Sequence, residues 1–132
     1  MDLRVAFPGG KKVDALYQGF TIRTDQPEKA GGDGSAPSPF ALFLASLGTC
    51  AGYYILNFCQ TRNIPAHNIE LVLRPQRNPK KGLVDKFNIE IKLPPDFPRK
   101  YVSAVKSAAD KCTVKKVMVN NPTFEITTTG HQ

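Results

Sequence analysis

Histidine is scarce in this chain: His67 and His131 are the only two, and neither has a cysteine, aspartate or glutamate at a metal-like spacing. That argues against a zinc or iron centre. The three cysteines, Cys50, Cys59 and Cys112, form no CxxC pair and are too few and too far apart for a disulfide framework. The glycine-rich run Gly31-Gly32-Asp33-Gly34 lacks the Gly-Lys-Ser/Thr ending and the βαβ setting of a phosphate-binding loop. No metal or organic cofactor is therefore expected. No apolar stretch follows Met1-Asp2-Leu3-Arg4, so no secretory leader is read and a cytoplasmic protein is expected.

The longest absence is of charge. Between Asp33 and Arg62 no side chain is ionised, and most of that interval reads as one helix. Ser38 is placed to cap it, Pro39 suits its first position, and Phe40, Phe43, Leu44, Leu47, Cys50, Ala51, Tyr54, Ile55 and Phe58 follow the 3.6-residue period. Leu42, Ala45 and Leu56 make it apolar nearly all round, the pattern of a helix surrounded by protein. A membrane span is the competing reading by length. Ser46, Gly48, Thr49, Gly52, Asn57 and Gln60 lower its hydrophobicity and no second span exists, so no membrane partner is expected.

Around that helix the chain alternates short elements. Leu3 to Phe7, Val13 to Tyr17 and Phe20 to Thr24 read as an antiparallel meander, with turns at Pro8 to Lys11 and Gln18-Gly19. Ile69 to Arg74 and Lys86 to Leu93 alternate as a hairpin joined at Asn78 to Gly82. A surface helix begins near Pro98, Cys112 ends it, a helical turn spans Thr113 to Met118, and Pro122 to Thr128 alternates as a last strand. The order βββ-α-ββ-α-α-β defines a single α+β domain over residues 1–132. A helix so apolar in so small a chain is hard to cover alone, which predicts a homodimer.

The net charge of +7 is scattered over short pairs such as Lys11-Lys12, Lys80-Lys81 and Lys115-Lys116, without interleaved aromatics. It reads as a solvated surface, and no nucleic-acid partner is expected. A hydrolase stays open on composition, with His67 its only base, and thiol chemistry is what else remains. Cys59 stands nine positions after Cys50, on the opposite face of the helix, and reads as core. Cys50 and Cys112 meet if the second helix packs on the first. Inert core thiols are the plain alternative, because free cysteine packs well as a small hydrophobe.

Two passages carry a resemblance: Gly31 to Pro39 leading through Phe40 to Leu47-Gly48-Thr49-Cys50-Ala51-Gly52, and Ala108-Ala109-Asp110-Lys111-Cys112-Thr113-Val114. The sequence resembles the OsmC/Ohr family. The resemblance implies an intertwined homodimer whose sheets wrap two central helices, with two adjacent cysteines at the interface. It also implies a peroxidase, in which an organic hydroperoxide oxidises Cys50, Cys112 resolves it, and a dithiol reduces the pair. Cys50 lies too deep in its helix for the N-terminal dipole to activate it, so a cation is expected from elsewhere. The family's arginine after a Gly-Gly pair is Lys11 here, and its glutamate early in the helix is Phe40. Arg23 is a second candidate cation. Lysine gives no bidentate fork and phenylalanine no anchor, so a binding protein for a small apolar ligand at the dimer interface is the alternative function.

Overall fold

The structure is a computed structural model that describes residues 1–130; His131 lies outside them. It comprises two compact units, Met1–Ser46 and Leu47–Gln132. The first holds strands β1 (Arg4–Gly9), β2 (Lys12–Tyr17) and β3 (Phe20–Thr24) and the start of helix α1 (Pro39–Gln60). The second holds the rest of α1, the hairpin β4 (Glu70–Asn78) and β5 (Leu83–Lys92), and helices α2 (Val102–Ala109) and α3 (Thr113–Val119). The fold class is α+β.

In the first unit the strands pair antiparallel in the order β1-β2-β3. Gln18 and Gly19 both take positive φ, 51° and 81°, which lets a two-residue turn set Tyr17 opposite Phe20. The loop that follows is built on one carboxylate. Asp25 is fully buried and accepts hydrogen bonds from the Ser35 hydroxyl at 2.6 Å and from the backbone N–H of Gln26, Asp33 and Ser35. The Ser35 hydroxyl, then those amides, hold its pKa well below the usual carboxylate range. Gly32 closes this loop because a Cβ there would collide with the Gln26 carbonyl. Ser38 then caps α1, its hydroxyl accepting from Ala41 N–H at 3.2 Å.

In the second unit β4 and β5 pair antiparallel with Leu71 opposite Ile91 and Leu73 opposite Ile89. A shift of register follows Gln76. The core is Ile55, Cys59, Phe97 and Val105, with Phe58, Leu71, Ile91 and Tyr101 packed against it. Arg62 lies 3.8 Å over the Phe58 ring and donates to the Phe58 carbonyl, closing the end of α1.

Within one chain α1 buries a single stripe, Leu47, Ala51, Ile55 and Cys59, while Phe40, Tyr53 and Leu56 are exposed. By length and composition it also meets the test for a membrane-crossing helix, as apolar core helices do. The expected last strand is absent. Residues 122–128 form no ladder, and Phe124 and Ile126 stand about nine-tenths exposed, at 89% and 92%. Alternation supplies a strand with a face to bury but not with an edge to pair against.

Candidate active site

Cys50 faces outward from α1 one residue before the buried Ala51 and is itself partly exposed. Cys112 arrives from the α2 side. After Ala109 the chain makes a tight turn through Asp110 and Lys111, with Cys112 N–H donating to the Ala109 carbonyl. Cys112 then becomes the N-cap of α3, its sulfur accepting from Lys115 N–H at 3.4 Å. The sequence places Cys112 at the end of α2; that it also begins α3 is what aims α3's first amides at the site. An ion pair between Lys115 and Asp110 spans the same junction. Tyr54 and Thr113 fix α3 on α1 through a hydroxyl–hydroxyl hydrogen bond of 2.9 Å.

The two thiols communicate directly. Hydrogen bonding from Val114 N–H, then from the Cys112 thiol and Thr113 N–H, lowers the pKa of Cys50 below that of an ordinary cysteine against the cost of its burial. Cys112 moves the other way: burial raises its pKa first, and the neighbouring Cys50 raises it further. The Cys112 S–H lies 3.9 Å from the Leu47 carbonyl, a second acceptor for the same proton. When Cys50 is a thiolate that proton turns to it. The sequence points to a cation beside Cys50; the donors the structure gives it are two backbone amides and a thiol, and no side-chain motif announces the amides. The signal that existed was the Cys-Thr-Val-Lys-Lys run that starts a helix at a cysteine.

Of the other candidates, Lys11 stands in the β1–β2 turn and Arg23 in β3, both exposed and both in the first unit. Cys59 is fully buried in the core, and burial raises its pKa. His67 lines a cleft of about 230 Å³ with Asn63, Asp96 and Phe97, apart from both Cys50 and Cys112. Among the described residues no group of three or more His, Cys, Asp and Glu gathers to hold a metal. A larger cleft of about 670 Å³ opens between β5, α2 and α3. Leu47, Phe87, Ile89, Ile91 and Met118 give it an apolar lining, and Cys112 lines it whereas Cys50 does not.

Fold and site together define an α+β protein built on a pair of hydrogen-bonded thiols of opposite acidity. The chain belongs to the family of OsmC-like proteins, whose model matches residues 32–127. No curated protein matches the sequence. Solved structures share the fold at low identity. A protein of Psychrobacter arcticus 273-4, described as osmotic-stress induced and of the detoxification response, superposes with a TM-score of 0.73 at 22% identity, over 87% of this chain and 85% of that one. The OsmC-like protein of Mycoplasma pneumoniae gives 0.70 at 14%, over 91% and 87%. The organic hydroperoxide resistance protein OhrB of Bacillus subtilis gives 0.53 at 21%, over 92% and 93%.

Proposed function

We propose that this protein is a cysteine-based peroxidase that reduces organic hydroperoxides at the expense of a dithiol. The observation that carries the reading is the Cys50–Cys112 pair, with Cys50 made acidic by Val114 N–H and the Cys112 thiol bonded to it. The hydroperoxide-resistance relative supports the substrate class. The Cys50 thiolate attacks the outer peroxide oxygen, the O–O bond breaks, and the alkoxide takes a proton and leaves as alcohol. Cys50 is left as a sulfenic acid. The Cys112 sulfur then attacks the Cys50 sulfur, water departs, and a disulfide forms that a dithiol reduces by two electrons.

Lys11 and Arg23 are the cations proposed to stabilise the Cys50 thiolate, in place of the arginine of the family pattern. Phe40, where that pattern has glutamate, favours bulky apolar hydroperoxides over hydrogen peroxide, which needs polar contacts. The working unit is a homodimer, supported by the exposure of Phe40, Tyr53 and Leu56 on α1. A reducing cytoplasm suits three free thiols.

The test is turnover of cumene hydroperoxide with dithiothreitol. Wild type should consume it, prefer it to hydrogen peroxide, and lose all activity in Cys50→Ser. Equal consumption by wild type and Cys50→Ser would sink the peroxidase reading and leave the apolar cleft of about 670 Å³ to favour a ligand-binding role without turnover.

A further inference from the structure

Two sulfurs from distant parts of the chain meet at the junction of α1 and α3. The Cys50 sulfur accepts from the backbone N–H groups of Thr113 and Val114, and the Cys112 sulfur accepts from Lys115 N–H at 3.4 Å. Both therefore lie against the same three residues, and they bond to each other. The third cysteine, Cys59, is fully buried in the core and takes no part. We infer that Cys50 and Cys112 form a binding site for a soft monovalent ion of the Cu(I) class, held between the two sulfurs as a two-coordinate dithiolate.

Ligand count selects the ion. Zinc takes three protein ligands or more, and among the described residues no third histidine, cysteine, aspartate or glutamate joins the pair. Calcium and magnesium take oxygen ligands instead. Thiolate donors favour Cu(I), and a closed-shell monovalent ion is satisfied by two of them in a line. The pair supplies two.

The setting agrees with the ligand count. Cys112 is buried, and so are Leu47, whose carbonyl lies 3.9 Å from the Cys112 sulfur, and Ala51, which follows Cys50. The inner side of the site is dry. Cys50 is partly exposed and gives the ion its way in. Such a place disfavours ions that hold their water tightly and suits one whose bonds to sulfur replace it.

Binding is ligand exchange without electron transfer. Each sulfur forms a bond to the ion and each thiol proton leaves to solvent, so the complex carries one negative charge. Two metal–sulfur bonds of about 2.3 Å each, the length of a zinc–thiolate bond, set the sulfurs roughly 4.6 Å apart in a line. A small outward turn of Cys50 opens that gap. A bound ion takes both sulfurs out of thiol–disulfide exchange.

The test uses reduced protein with oxygen and peroxide excluded, so its outcome is independent of the peroxidase reading. Cu(I) is offered as its coloured bicinchoninate complex, from which the protein is expected to withdraw one ion per chain. X-ray absorption of the loaded protein should show two sulfur neighbours and no nitrogen or oxygen at bonding distance. Cys50→Ser and Cys112→Ser should each lose the ion to bicinchoninate. Iodoacetamide mapping of wild type gives a readout that needs no variant: loading should abolish alkylation of Cys50. No withdrawal from bicinchoninate, one ion shared by two chains, a third ligand in the absorption spectrum, unchanged alkylation of Cys50, or retention by either serine variant would overturn the site. Zinc retained through gel filtration at one ion per chain would overturn the choice of ion.

Discussion

Backbone amides lower the pKa of Cys50, and this fixes its pH behaviour. A depressed pKa means the thiolate fraction rises with pH through a midpoint below the ordinary cysteine value and then levels off. Alkylation of native protein by iodoacetamide, followed site by site, should give Cys50 a midpoint below that of an ordinary cysteine and Cys112 one above it. A Cys50 midpoint at or above the ordinary value would remove the activation. At this scale the sequence singled out Cys50 and Cys112 as a pair that could meet but not the amides around them. The half-turn offset between Cys50 and Cys59 along one helix separates a partly exposed thiol from a core thiol by geometry alone. The amides of Thr113 and Val114 carry no residue identity, so their part in the site became visible only once α3 was in place.

Elements whose signals are local were legible, and those that need a partner were not. The turn at Gln18-Gly19, the Ser38 cap and the β4–β5 hairpin each depend on residues close in sequence, and each forms as the pattern dictates. The segment 122–128 has the alternation of a strand but no ladder within the chain, since strand formation depends on an edge that local sequence does not encode. The seating of α3 on α1 is a further tertiary feature, and the Tyr54–Thr113 hydrogen bond is its clearest tie. Tyr54→Phe is expected to cost about 0.5–1 kcal/mol in chemical denaturation, as loss of one partly solvated hydrogen bond does. It should also shift the Cys50 alkylation midpoint upward, because looser α3 amides hold the thiolate less well. An unchanged midpoint would show that α3 is held in place by other contacts.

At the scale of the whole molecule, exposed apolar residues on α1 and in 122–128, among them Tyr53, Leu56, Phe124 and Ile126, are the surface that the proposed homodimer would cover. Sedimentation at micromolar concentration should report about twice 14.5 kDa, and a monomer there would refute the dimer. The overall class was readable because one long uncharged stretch and two cysteine-bearing motifs dominate the sequence. The extent to which α1 stays uncovered was not, because burial depends on what packs against a face and not only on its composition. The central claim is that Cys50 and Cys112 form a redox pair from which Cys59 is excluded. Intact protein treated with one equivalent of cumene hydroperoxide should lose two thiols, and peptide mapping should find a Cys50–Cys112 disulfide within one chain, with Cys59 still alkylatable after denaturation. A disulfide that contains Cys59, or two thiols that survive at Cys50 and Cys112, would contradict it.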